Sequence, residues 1–214
     1  MNKKLYTLLV LLIFLSGCET AYYNAWEKVG VHKRDILIDR IEDTKDAQED
    51  AQKEFKDALE QYRSVVNFDG GNLEKHYNKL NAEYEDSKQA AEKISEHIRS
   101  VENVAEDLFE EWEKELGQYN SASLRESSAK QLQDTRYQYQ RLLRSMKNAE
   151  KSVEPVLRTL SDQVLYLKHN LNARAISAMK GEVNTVSSDV NQLIARMQAS
   201  IDQADAFIKT IKQG

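Results

Sequence analysis

The sequence predicts an all-α protein: a long antiparallel helical bundle or coiled coil of four helices, behind a short N-terminal segment that is not part of it. Three observations predict it. The 214 residues include one proline and only seven glycines, too few turn residues for frequent chain reversals, so the elements must be few and long. Charged residues make up 30% of the chain, and the abundance of Ala, Glu, Gln, Lys, Leu and Arg supplies helix propensity. Beyond residue 21, apolar residues recur at steps of three and four, the spacing that lines one face of a helix.

The first element is a processing signal rather than part of the fold. Lys3 and Lys4 form a positive start, and Leu5 to Leu15 is an apolar run too short to persist as a transmembrane helix. It ends in Leu15-Ser16-Gly17-Cys18, which resembles the lipobox of bacterial lipoproteins. That resemblance implies lipidation of the Cys18 thiol, cleavage between Gly17 and Cys18, and acylation of the new N-terminus. A multiply acylated cysteine anchors durably, because each buried methylene contributes about 0.8 kcal/mol and a single chain holds only marginally. Residues 1–17 are therefore read as signal peptide, 18–21 as the lipidated N-terminus and short linker, and 22–214 as a single elongated helical domain. Glu19 is not the aspartate that typically retains such lipoproteins at the inner membrane, so the outer membrane is favoured. Cleavage removes Lys3 and Lys4 but no acid and takes the net charge from −5 to −7, which disfavours nucleic acid as a partner. Cys18 is the only cysteine, so disulfides and thiolate metal sites are excluded.

The first predicted helix spans about 22–67, with Trp26, Val29, Ile36 or Leu37, Ile41, Ala47, Ala51, Phe55, Leu59, Tyr62 and Val66 inward. Phe68-Asp69-Gly70-Gly71-Asn72 stops it, since adjacent glycines allow the left-handed backbone of a helix stop. The second, about 73–116, carries a regular heptad of Tyr77, Leu80, Tyr84, Ser87, Ala91, Ile94, Ile98, Val101, Ala105, Leu108 and Trp112. Gly117 offers its C-terminal stop, and Asn120 or Ser121 the next N-cap. The third, about 121–168, follows Ser128, Leu132, Thr135, Tyr139, Leu142, Met146, Ala149, Val153, Val156 and Leu160. Pro155 lies inside it, but the stripe keeps its phase from Val153 to Val156, so a bend is expected there and not a reversal.

A fourth stripe, Met179, Val183, Val186, Val190, Leu193, Met197, Ala204 and Ile211, is out of phase with the third. Continuing the third heptad would bury Asn170, Arg174 and Gly181, which a core rejects. A reversal at His169-Asn170-Leu171-Asn172 gives a helix over about 173–212 and four helices of matching length, which favours up-down-up-down packing. A reversal at Lys180-Gly181, or one long bent helix, are the alternatives.

Three blocks, Tyr22-Tyr23-Asn24-Ala25-Trp26-Glu27-Lys28-Val29-Gly30, Val65-Val66-Asn67-Phe68-Asp69-Gly70-Gly71 and Leu165-Tyr166-Leu167-Lys168-His169-Asn170-Leu171-Asn172-Ala173-Arg174-Ala175-Ile176, resemble a family of bacterial lipoproteins, domain of unknown function twenty-nine fifty-nine. The resemblance spans nearly the whole mature chain. It implies an envelope lipoprotein and carries no catalytic residue across.

A search for chemistry predicts no enzyme, no cofactor and no metal site. Di-iron bundles need Glu-x-x-His steps, but Val29, Leu73, Ile94 and Tyr166 stand three before His32, His76, His97 and His169. No His-Glu-x-x-His step or phosphate-binding loop occurs, and Asp69-Gly70-Gly71-Asn72 lacks calcium-loop spacing. Two surfaces remain as candidates for a partner. Glu102 to Glu115 holds seven acids, Glu106, Asp107, Glu110 and Glu111 among them, against the single base Lys114. Acids at a helix C-terminus oppose its dipole, so pairing with Arg125, Lys130, Arg136, Arg141 and Arg144 of the next helix is the simpler explanation, and an acidic tip for a basic partner the sharper one. Lys168, His169, Asn170, Asn172 and Arg174 cluster with Tyr166 at the proposed reversal, either as a recognition loop or as a capped turn. The expected function is a membrane-tethered scaffold or adaptor that binds an envelope protein, with homo-oligomers as a variant. A periplasmic binder of a small molecule or metal ion is the alternative.

Overall fold

The computed structural model describes residues 33–213. Cys18, Gly17, Trp26, Val29 and His32, with the expectations attached to them, lie outside the described residues. Four helices make up the fold: α1 (Lys33–Val66), α2 (Leu73–Glu115), α3 (Ala122–His169) and α4 (Ala173–Gln213), with a short 3-10 turn at Leu116–Gln118. No strand occurs among the described residues.

Each reversal is written in local chemistry. Gly70 and Gly71 sit at φ +145° and +111°, where other residues would be strained, and the Asn72 side chain then caps α2 by accepting from the Lys75 N–H at 3.1 Å. α2 ends at Glu115, close to the C-terminal stop predicted at Gly117. Neither it nor any other residue between α2 and α3 has positive φ; the chain tightens into the 3-10 turn instead. Ser121, rather than Asn120, caps α3 by accepting from the Leu124 N–H at 3.4 Å. The last reversal falls at residues 170–172, ahead of Lys180-Gly181: Asn172 Oδ1 accepts from the N–H groups of Arg174 (3.0 Å) and Ala175 (3.2 Å) to open α4. α3 runs unbroken through Pro155 for 48 residues, about 72 Å at 1.5 Å per residue.

Helices pack in ring order, α1 on α2, α2 on α3, α3 on α4 and α4 back on α1. Side-chain pairs show the antiparallel register between α1 and α4. Lys212 meets Glu42 at 3.3 Å, Lys45 pairs with Asp205, Gln52 donates to Gln198 at 3.5 Å, and Arg63 donates to Ser187 at 3.1 Å. The core runs the length of this ring. In α1 it comprises Leu37, Ile41, Ala51, Phe55, Ala58, Tyr62 and Val65, all fully buried, with the polar Thr44 and Gln48 in the same stripe. The Tyr62 hydroxyl donates to the Met179 carbonyl at 2.6 Å, tying α1 to α4; burial, with Glu182 nearby, holds that phenol above its usual range, so it remains a donor. Hydrophobic burial dominates the stability of such a bundle, since exposed ion pairs of this kind contribute about 0–1 kcal/mol each.

Candidate functional site

The two candidate surfaces lie at opposite ends of the bundle. Arg136 of α3 forks onto Glu113 of α2, at 3.0 and 2.9 Å, near the end where α1 starts. Lys168 lies 32 residues further along the same helix, about 48 Å away. The structure thus separates Glu106, Asp107, Glu110 and Glu111 from Lys168, His169, Asn170, Asn172 and Arg174.

At the acidic end, pairing between helices accounts for part of the charge. The Arg136 guanidinium also donates to the Phe109 carbonyl at 3.3 Å and lies over the Phe109 ring, 5.4 Å from its centroid. Its hydrogen bonds hold the Glu113 carboxyl below the usual carboxylate range. Lys147 meets Glu102 at 2.8 Å and Lys33 meets Glu111 at 3.0 Å, two pairings the sequence did not indicate. The other bases named from sequence do not take this role among the described residues. Lys130 pairs with Asp134 on its own helix at 2.6 Å, and Arg125, Arg141 and Arg144 are exposed with no ion pair among the described residues. All four lie on the exposed side of α3. Among the described residues, Glu110 pairs only with Lys114, one turn away on its own helix at 3.3 Å.

At the other end, the two asparagines are occupied by the turn itself. Asn170 Nδ2 donates to the Tyr166 carbonyl at 2.9 Å, and Asn172 caps α4. That leaves Lys168, His169 and Arg174 exposed beside Leu165 (55% exposed), Tyr166 (41%) and Leu171 (42%). From Gln163 to Gly181 there is no acidic residue. The α3–α4 turn therefore presents apolar side chains among cations, on a backbone fixed by its own side chains. His76, in the first turn of α2, is held by Ser64 at 3.3 Å and by an edge contact with Phe68. His169 stays exposed at the end of α3.

Trp112 is half-buried, and its Nε1 donates to Ser128 at 2.8 Å, so it braces α2 against α3 and does not stand out as a platform.

One cluster was not legible in the sequence. Glu54 and Asp57 of α1 and Glu83 of α2 bring a carboxylate oxygen each to within 4.8 Å of one another, half-buried between the helices. Lys53 approaches Glu54 at 3.8 Å and Asp57 at 4.0 Å. Burial first, then repulsion from Asp57, Asp86 and Glu54, raises the Glu83 carboxyl above its ordinary value. The folded chain therefore holds this proton more tightly than the unfolded chain. Stability falls as pH rises from the ordinary glutamate pKa through the raised one, and the full cost is present at neutral pH. Glu83→Gln should accordingly melt higher than the parent at pH 7, by on the order of 1–2 °C, with the gap closing below about pH 4. Thermal melts followed by circular dichroism at both pH values check this.

No helix among the described residues is long and apolar enough to cross a membrane. Among curated proteins none matches the chain significantly. The family model described as a protein of unknown function, DUF2959, matches residues 22–211, which spans all four helices up to the last turn of α4 and takes in eleven residues ahead of α1. The chain belongs to the DUF2959 family.

Proposed function

We propose that this protein is a lipid-tethered envelope scaffold, a non-enzymatic rod held at a membrane through Cys18 that offers its far end to a protein partner. The observation that carries the reading is the run Leu15-Ser16-Gly17-Cys18, which closes an apolar leader behind Lys3 and Lys4. The topology adds direction. α1 starts at the acidic end, so acyl chains on Cys18 would set that end toward the bilayer and carry Leu165, Tyr166, Lys168, His169, Leu171 and Arg174 away from it. An exposed apolar patch rimmed by cations suits an acidic protein surface, with apolar burial supplying affinity and charge supplying orientation. Glu19 after the cysteine favours the outer membrane.

Cys18→Ala should move the protein from the membrane fraction to the soluble fraction of cell lysates, with loss of the mass added by acylation. A variant that stays lipid-modified and sediments with membranes rules out the tether. Crosslinking in intact cells from cysteines placed at Leu165 or Leu171 should capture one protein reproducibly, and adding Lys168→Glu with Arg174→Glu should abolish the capture.

A further inference from the structure

The outer faces of α1 and α3 carry opposite charge. Between Asp35 and Asp50, α1 holds seven acids against two bases. Both bases are spent inside the molecule, Arg40 on Asp43 of its own helix and Lys45 on Asp205 of α4. Asp35, Asp39, Glu42, Asp46 and Glu49 are exposed at steps of four and three, so they form one stripe on the side of α1 away from the core. Among the described residues, Glu42 alone in that stripe has an ion pair, with Lys212. α3 is the reverse. From Thr135 to Ala149 it has no acid. Arg136 and Lys147 turn to Glu113 and Glu102 of α2, while Arg141, Arg144 and Lys151 stay exposed with no ion pair among the described residues. With Tyr137 and Asn148 they make an outward stripe of the same spacing.

The two stripes lie on opposite sides of the molecule and at one height. The ring order sets α1 and α3 diagonally, so their outer faces point in opposite directions, and both helices run away from the end where α1 starts. Two contacts fix their relative level. Tyr62 of α1 reaches Gln163 of α3, 101 residues on, and Arg34 lines one groove with Tyr137 and Gln138. Asp39 and Arg141, Glu42 and Arg144, and Glu49 and Lys151 are each 102 residues apart, so each acid stands level with a base on the far side. We infer that the bundle associates sideways with copies of itself, the acidic stripe of α1 on one copy against the basic stripe of α3 on the next. Because the two faces differ and point apart, the contact does not close on itself and builds rows. Further up, Lys56 stands level with Arg158, which confines the contact of parallel rods to the part nearer the start of α1. Exposed ion pairs are individually weak, so the association is reversible and sensitive to salt, and it gains from copies being concentrated on one surface. Antiparallel rods would also set acids against bases. A shared anchor at Cys18 selects the parallel order, and that clause alone rests on the tether reading.

The contact is tested in the mature chain with Cys18→Ala, free of lipid and at high concentration in low salt, so it stands apart from whether the tether exists. Asp46→Cys combined with Asn148→Cys puts one thiol in each stripe, both at exposed positions. Mild oxidation should then give a ladder of disulfide-linked oligomers, where either cysteine alone gives dimers at most. The ladder should fall several-fold in about 1 M salt, where screening leaves a reach of only about 3 Å. Asp39→Lys with Glu49→Lys should abolish it, and so should Arg141→Glu with Lys151→Glu, with the helical signal unchanged. All four substitutions in one chain should restore it, because complementarity returns with its sign reversed. No ladder, a ladder indifferent to salt and charge reversal, or no recovery in the four-fold variant overturns the proposal. So does binding of the ladder-free protein to phosphatidylglycerol vesicles that Arg141→Glu with Lys151→Glu abolishes, which assigns the α3 stripe to lipid. In the membrane-held protein with Cys18 intact, Asp35→Cys with Tyr137→Cys should crosslink as well, since parallel rods set these two side by side and antiparallel rods hold them far apart. Failure of that pair, in membranes where the cysteines at Asp46 and Asn148 do crosslink, overturns the parallel order.

Discussion

Phe55→Ala should lower the stability of the bundle by about 3–5 kcal/mol, the cost of deleting a fully buried aromatic whose surroundings relax only in part. Phe55 lies in the middle of α1 with no exposed surface, in the stripe that runs from Leu37 through Ile41 and Ala51 to Tyr62. α1 is packed by α2 on one side and α4 on the other, so a cavity there is bounded by three long helices that cannot close without sliding in register. For a domain of this size the loss corresponds to roughly 6–20 °C in the melting temperature, read by circular dichroism or calorimetry. Lys56→Ala, at the neighbouring exposed position, should change stability by no more than about 0.5 kcal/mol and serves as the control. Equal effects at the two positions would mean that the stripe assigned to the core of α1 does not face the other helices.

That stripe was legible because burial in a bundle is periodic and local. Ile41, Phe55 and Tyr62, and Leu80, Ile94, Ile98 and Val101, are where the three-four spacing puts them. The reading fails where periodicity drifts. A strict seven-residue repeat carries α2 inward at Leu108 and Trp112, yet both are only half-buried, while Val104 and Phe109 take the interior positions. A helix of 3.6 residues per turn rotates about 20° per heptad against a repeat of 3.5, so the stripe migrates by a residue over several heptads. Turns were legible where a particular residue makes them, as at Gly70-Gly71 and Asn172, and the stop near Gly117 was legible in its place although glycine's positive φ is not used there. The candidate sites were the least legible. Which helix a charge lies on follows from sequence, but its partner depends on axial register and rotation between helices, quantities of a few ångströms set by the whole core. Arg136 meets Glu113 while Arg141 and Arg144 do not, and Glu54 and Glu83 converge although 29 residues separate them.

Gln48→Leu should raise stability by about 1–3 kcal/mol, the desolvation cost of a buried polar group without a partner. Gln48 occupies a core position of α1 at 1% exposure, and neither atom of its amide finds a hydrogen bond. Between the Lys45–Asp205 and Gln52–Gln198 pairs, the register sets Gln48 opposite the turn of α4 that holds Ser200, whose fully buried hydroxyl is also unpaired. Leucine fills nearly the same volume, so the exchange removes a polar penalty and adds no cavity. A protein that keeps such a layer at the α1–α4 seam gains a marker of alignment: sliding α1 by one heptad would move Gln48 to a wholly apolar level and bury its amide against carbon on every side. The gain in melting temperature should therefore come with weaker discrimination of register, visible as broadened amide resonances along α1 and α4 in the leucine variant. A loss of more than about 1 kcal/mol instead would show that the amide is bonded in solution, to the Ser200 hydroxyl or to a trapped water. Ser200→Ala decides between those two, since it leaves Gln48 as stable as before only where water, not the hydroxyl, is the partner.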